Sequence, residues 1–156
     1  MQKGPDQYMK RIIMLVEDNP DDITLAKRVF RKCNLTDNVV VTRDGVEALE
    51  YLSKKGEDDD DRSTADLPAV IFMDLKMPRM DGIETLKVLR SRRKTAFIPV
   101  VMLTSSDEDR DIRQCYQCGA NSYIRKPIDF DRFSEVMQLL SVYWLTINEL
   151  PGEKGI

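Results

Sequence analysis

The chain reads as an α/β protein, a doubly wound fold on a five-stranded parallel sheet with five helices, and three observations lead there. Five short apolar runs, at 12–16, 38–42, 69–73, 99–103 and 121–124, alternate with segments of helical periodicity, the pattern that right-handed crossovers produce. The central run, Ala69-Val70-Ile71-Phe72-Met73, is apolar at every position, as expected of a strand buried on both faces of a sheet. Three of the runs end on charge: Glu17-Asp18 after the first, Asp74 after the third, Arg125-Lys126 after the fifth. The carboxyl ends of parallel strands share one edge, so these groups converge where such sheets collect ligands.

Each helix carries its own signals. In the first, Asn19 is the expected N-cap with Pro20 in the first turn, and Ile23, Ala26, Val29, Phe30 and Cys33 share a face. The second opens on Asp44 and Glu47 at capping-box spacing. Ile83, Leu86 and Leu89 form the inner stripe of the third, and the cations Arg90, Arg92, Arg93 and Lys94 follow it, opposing the macrodipole at its end. Asp107 and Asp129 are the expected caps of the fourth and fifth helices. The fifth is expected to bury Phe133, Val136, Met137, Leu140 and Trp144.

Composition narrows the function. At 156 residues the chain suits one domain with a single core, and 24 basic against 27 acidic residues leave a net charge of −3, which offers no broad attraction to nucleic acid or anionic membrane. No run is long and apolar enough to span a membrane, and Met1–Arg11 does not read as a signal peptide, so a cytoplasmic protein is expected. Cys33, Cys115 and Cys118 form no disulfide framework. Cys115 and Cys118 sit late in a helical segment, whereas thiolate activation favours a helix N-terminus. With no histidine in the chain, a Ser-His-Asp or Cys-His mechanism and a His-ligated metal are excluded. The acidic run Glu57–Asp61 joins the second helix to the third strand, at the opposite edge of the sheet from Asp74, and reads as a solvated loop.

Glu17-Asp18, the segment Asp74-Leu75-Lys76-Met77-Pro78-Arg79-Met80-Asp81-Gly82, Thr104-Ser105 closing the fourth run, and Tyr123 before Lys126-Pro127 each end a strand, in this order. This combination resembles the receiver domain of two-component response regulators, and the acidic insert and the tail after Tyr143 look most like the single-domain regulators that partner phytochrome-type kinases. The resemblance implies a flavodoxin-like sheet of order 2-1-3-4-5. It divides the chain into an N-terminal arm at 1–11, a receiver domain at 12–143 and an extension of the last helix with a tail at 144–156.

It also implies a phospho-accepting switch. Carboxylates about 4 Å apart repel by roughly 4 kcal/mol at an effective dielectric of 20, so Glu17, Asp18 and Asp74 together call for a cation, and oxygen-only ligands favour Mg²⁺. By resemblance Asp18, Asp74 and the backbone carbonyl of Lys76 bind the ion directly and Glu17 acts through water. Asp74 is the nucleophile toward a phosphohistidine of a sensor histidine kinase, Lys126 and Thr104 contact the phosphoryl group, and Thr104 with Tyr123 form the switch. Lys126-Pro127 is expected to be a cis bond that fixes the approach of the lysine.

Two other readings compete. A haloacid-dehalogenase-type phosphatase also uses a strand-end aspartate and Mg²⁺, but it wants a second aspartate where this chain has Lys76, and no cap domain is apparent. A degenerate receiver that binds a partner constitutively is opposed by the intact set of Glu17, Asp18, Asp74, Thr104 and Lys126. Residues 144–156 are too few for an effector domain, so output is expected to pass through another protein or self-association. Leu139, Val142, Tyr143, Leu145, Ile147 and Leu150 exceed what one inner stripe needs, which predicts a homodimer through the fourth helix, fifth strand and fifth helix.

Overall fold

Side chains alternate across a strand, so each strand that is covered on both sides feeds two separate cores. The computed structural model describes residues 11–55, 67–126 and 129–151, and the expectations for Glu57–Asp61 and for Pro127 lie outside them. Its strands are β1 (Ile12–Val16), β2 (Val39–Thr42), β3 (Pro68–Met73), β4 (Val100–Thr104) and β5 (Ser122–Arg125). The helices are α1 (Pro20–Lys32), α2 (Gly45–Lys55), α3 (Gly82–Ser91), α4 (Asp109–Gln117) and α5 (Phe130–Val142). All strand pairs are parallel, in the order β2-β1-β3-β4-β5. Met14, Val16, Ile71, Met73, Val100 and Met102 face the stripes of α2 and α3, with Cys115 of α4 in the same core. Ile13, Leu15, Phe72, Val101 and Leu103 face α1 and α5.

The strand limits shift slightly from those expected. β2 starts at Val39 because Asn38 ends a 3₁₀ turn and its side-chain amide donates to the Arg11 carbonyl at 2.9 Å. β4 and β5 run one residue further, since Thr104 and Arg125 still pair across the ladder. The sheet therefore carries its backbone order up to the last residue before Ser105 and Lys126.

Local capping sets where the helices begin. The Asn19 side-chain oxygen accepts from the Asp21 and Asp22 amides at 2.9 and 3.2 Å, and Asp129 accepts from the Arg132 amide at 2.9 Å, both as expected. Asp44 accepts from the Glu47 amide at 2.9 Å, while the Glu47 carboxylate reaches back to the amide of Arg43. Asp107 does not cap α4. The N-cap position is Glu108, without a side-chain bond, and the exposed Asp107 instead lies 3.9 Å from Arg125. Ser106 anchors the approach to this helix: its hydroxyl accepts from the Glu108 amide at 3.4 Å and donates to Asp111 at 2.6 Å.

Arg90 also departs from expectation. It does not simply face the dipole at the end of α3; its guanidinium is half-buried and donates to the carbonyls of Ala96, Ile98 and Gly119 at 2.8 to 3.1 Å. It thereby satisfies backbone oxygens of the turns that feed β4 and β5.

The end of α5 departs from the expected buried stripe. The helix widens into a π turn over Tyr143–Ile147, and the extra residue per turn rotates Leu145 into the core of the α1 and α5 face. Leu145 is buried and Trp144 only partly so, the reverse of the order the stripe predicted. Phe133 and Met137 are buried, Val136, Leu140 and Leu150 half-buried, and Leu139, Val142, Tyr143 and Ile147 remain exposed.

α3 starts tight against the carboxyl edge: the amide of Gly82, its first residue, donates to the Leu75 carbonyl at 2.7 Å. A Cβ at Gly82 would lie 2.6 Å from the Asp74 carbonyl oxygen and 3.0 Å from the Leu75 Cα, both backbone atoms with little room to yield. Gly82→Ala is expected to cost about 1–3 kcal/mol, read as a lower urea midpoint, and to displace the amide signals of Asp74 and Leu75. Unchanged stability and signals would show that α3 retreats freely.

Candidate functional site

The pairing of β1 with β3 is what brings the acids together. Val16 is in register with Met73, so the next residues, Glu17 and Asp74, leave the sheet side by side. The ladder continues one step beyond, with the Asp74 amide on the Val16 carbonyl and the Glu17 amide on the Thr42 carbonyl, each at 3.0 Å. Carboxylate oxygens of Glu17, Asp18 and Asp74 all lie within 4.8 Å of one another, the single such group of potential metal ligands among the described residues. Asp74 is half-buried, and its Oδ1 accepts from the Leu75 amide at 2.7 Å, which orients the carboxylate.

Unit charges at 4.8 Å repel by about 3.5 kcal/mol at an effective dielectric near 20. The donor set is oxygen only, which fits a hard divalent cation with room for water. Lys76, whose carbonyl was the further expected ligand, lies in the loop just after Asp74 with its side chain exposed.

Lys126 supplies the protein's own counter-charge. Its amide donates to the Thr104 carbonyl at 2.8 Å, continuing the β4–β5 ladder, and its Nζ lies 2.7 Å from Glu17 Oε2 and 3.0 Å from Asp22 Oδ2. Glu17 is only 2% exposed, and this burial pushes its carboxyl up to about 7, aided by the charge of Asp74 and opposed by the bond from Lys126. For Lys126, burial alone would lower the ammonium, but the hydrogen bond and charge of Glu17 prevail and hold it above its usual value.

Thr104 is buried at the end of β4, and its hydroxyl oxygen accepts from the Ser106 amide at 3.4 Å. Tyr123 is half-buried on the neighbouring strand, in register with Met102, and its hydroxyl donates to the Ser106 carbonyl at 2.8 Å. Both expected switch residues thus meet at Ser106, which the sequence did not single out.

Two further contacts were missed. Asp22 sits in an acidic first turn, where it is hard to tell from Asp21, although it stands four residues before the buried Ala26 and so on the inward helical phase. Arg79 adopts the left-handed region at φ +62 and forms a two-pronged contact with the buried Asp44, at 2.7 and 3.1 Å. Burial would raise the Asp44 carboxyl, yet the guanidinium and the Glu47 amide hold it below its usual range. The contact ties the loop after Asp74 to the start of α2 and accompanies the left-handed backbone of Arg79.

Cys115 is buried, and burial first, with Asp111 adding, pushes its thiol up to about 11, which opposes a reactive pair with Cys118. No helix among the described residues is long and apolar enough to cross a membrane.

Comparison with known proteins agrees with this geometry. A family model described as the response regulator receiver domain matches residues 13–138. The probable methanogenesis regulatory protein FilR2 of Methanothrix harundinacea is 37% identical over 90% of this chain and 88% of its own length. The crystal structure of the phosphorylated cyanobacterial phytochrome response regulator RcpA superposes with a TM-score of 0.76 at 34% identity, covering 90% of this chain and 98% of that one. The Mn²⁺-bound form of the response regulator Rcp1 superposes with a TM-score of 0.73 at 29% identity, covering 90% and 99%; Rcp1 is a Synechocystis protein.

The buried Glu17 carboxyl makes a test of the site's electrostatics. It keeps its proton to about 7 in the folded protein against 4.5 for a free carboxyl, so across that window the folded state binds more protons than the unfolded one. Stability of the metal-free protein should therefore fall as pH rises from 4.5 to 7. Urea melts in chelator at several pH values should show Glu17→Gln losing that slope; a slope identical in both proteins would place the titration elsewhere.

Proposed function

Because this chain belongs to the response regulator receiver domain family, a class of phospho-accepting signalling switches, we propose that Asp74 is its phosphoryl acceptor. The observation that carries this reading is the meeting of three strand-end carboxylates with one half-buried ammonium at a single sheet edge. A phosphohistidine of a sensor histidine kinase is the donor. An Asp74 carboxylate oxygen bonds to phosphorus as the phosphorus–nitrogen bond breaks, which leaves an acyl phosphate on the aspartate and the imidazole on the kinase.

Mg²⁺ is the cofactor of this reading, held by Asp18, Asp74 and the Lys76 carbonyl, with Glu17 behind a water. When bound it neutralises charge on the acids and on the phosphoryl oxygens. The chain's own groups do the rest. The Leu75 amide orients the Asp74 carboxylate, Lys126 contributes positive charge toward the equatorial oxygens, and Thr104 donates its hydroxyl. A Thr104 that turns to the phosphoryl group gives up its contact with the Ser106 amide, and Ser106 also receives the Tyr123 hydroxyl, so the change passes to the surface between β5 and α4. Position 76, where a dehalogenase-type phosphatase needs its second aspartate, is an exposed lysine, so that alternative finds no support.

Incubation with Mg²⁺ and acetyl phosphate should add one phosphoryl group, seen by intact mass and removed by hydroxylamine. Asp74→Asn, or omission of the metal, should abolish it. Undiminished phosphorylation of Asp74→Asn would overturn the assignment.

The partner reading extends this. Kinship with phytochrome response regulators supports a phytochrome-type kinase as donor, and the function implies a cytoplasmic protein. We also propose a homodimer through α4, β5 and α5. Leu139 and Val142 of α5 and Tyr143 and Ile147 of the π turn that follows are 72%, 50%, 45% and 63% exposed, apolar surface that a second copy would cover. Sedimentation across a concentration series, with and without phosphodonor, should show a dimer whose affinity changes with phosphorylation. A strict monomer at high concentration in both states would refute it.

A further inference from the structure

We infer that Asp22 is a positioning residue for Lys126, a second carboxylate that holds the ammonium on the α1 side of the site and so sets how readily it reaches a phosphoryl group on Asp74. This rests on the proposed role of Asp74. An ammonium has three N–H groups, and two of those on Lys126 are engaged at rest, by Glu17 Oε2 at 2.7 Å and Asp22 Oδ2 at 3.0 Å. The two acceptors differ. The Glu17 side chain is 2% exposed and also accepts from the Asn19 amide, so it is a fixed part of the interior. The Asp22 side chain is 37% exposed, and its longer bond competes with water, which makes it the hold that can be released.

The backbone makes this hold a built one. The Asn19 side chain accepts from the Asp22 amide at 3.2 Å, which fixes the first turn of α1 and with it the direction of the carboxylate. Lys126, Glu17 and Asp22 also line a cavity of about 250 Å³ with Leu15, Leu103 and Phe133, so packing does not lock the lysine in place. A lysine that turns to a phosphoryl group must weaken at least one resting bond, and the one to Asp22 is cheaper to lose. Asp22 would then oppose the phosphorylated form through Lys126 rather than by touching the phosphoryl group.

Beryllofluoride with Mg²⁺, a noncovalent phosphoryl mimic, reads this equilibrium by titration followed at the amides of Thr104 and Tyr123. Asp22→Asn is expected to bind it about three- to tenfold tighter than wild type, the range for a half-exposed charge-assisted contact. Asp22→Glu should restore the wild-type affinity. The resting Nζ resonance of Lys126 should move in Asp22→Asn and return in Asp22→Glu. Asp21→Asn is the control, because Asp21 carries the same charge in the same turn, is exposed, and bonds to Lys126 in no contact described above. Equal tightening in Asp21→Asn would reduce the effect to long-range charge and overturn the inference, as would unchanged affinity in Asp22→Asn. Wild type that binds no mimic and takes no phosphoryl group would overturn the functional reading and this inference with it. A responsive wild type with an indifferent Asp22→Asn would overturn this inference alone.

Discussion

The crowding of like charge at one edge of the sheet is the constraint on which the site depends. Glu17, Asp18 and Asp74 are forced together by the register of β1 against β3, and each pair repels by several kcal/mol at the effective dielectric of a protein surface. Lys126 answers part of that charge, and the burial of Glu17 answers another part by favouring its protonated form. What remains is a negative pocket of hard oxygen ligands, which suits a divalent ion and, with it, an anionic phosphoryl group. Electrostatic tension and binding capacity are the same feature.

Around this edge the loops are held by polar contacts in addition to the packing of Leu75, Met77 and Met80. The Asp44–Arg79 fork ties the loop after Asp74 to α2, and Gly82 lets α3 start against the Asp74 carbonyl. The loop after β4 turns on Ser106, which meets Thr104, Asp111, Glu108 and Tyr123 through four different contacts. Side chains and backbone joined in this way have discrete alternatives, and a change at one partner releases another.

Much of this was legible in the residues themselves. Apolar runs at Ile12–Val16, Ala69–Met73 and Val100–Leu103 predict buried parallel strands, because only a sheet covered on both faces tolerates such runs. Asn19, Asp44 and Asp129 announce helix starts through their own backbone bonds, which are local and hence readable. Asp107 misled because α4 starts one residue later, with Glu108 at the N-cap, and Trp144 misled because a π turn breaks the 3.6-residue period on which the stripe was counted.

By itself the sequence determined the strands, most of the helix caps, and the placing of Glu17, Asp18, Asp74, Thr104 and Lys126 at strand ends that share one edge. These depend on periodicity and on chain position relative to strand ends, both of which are local properties. Only the tertiary structure decided which carboxylates hold Lys126, that Arg79 grips Asp44 across 35 residues, that Arg90 closes the turn before β4, and that Leu145 rather than Trp144 enters the core. Those outcomes turn on distances of about 3 Å between residues far apart in the chain. No spacing along the sequence encodes such distances until the sheet register and the helix phases are set.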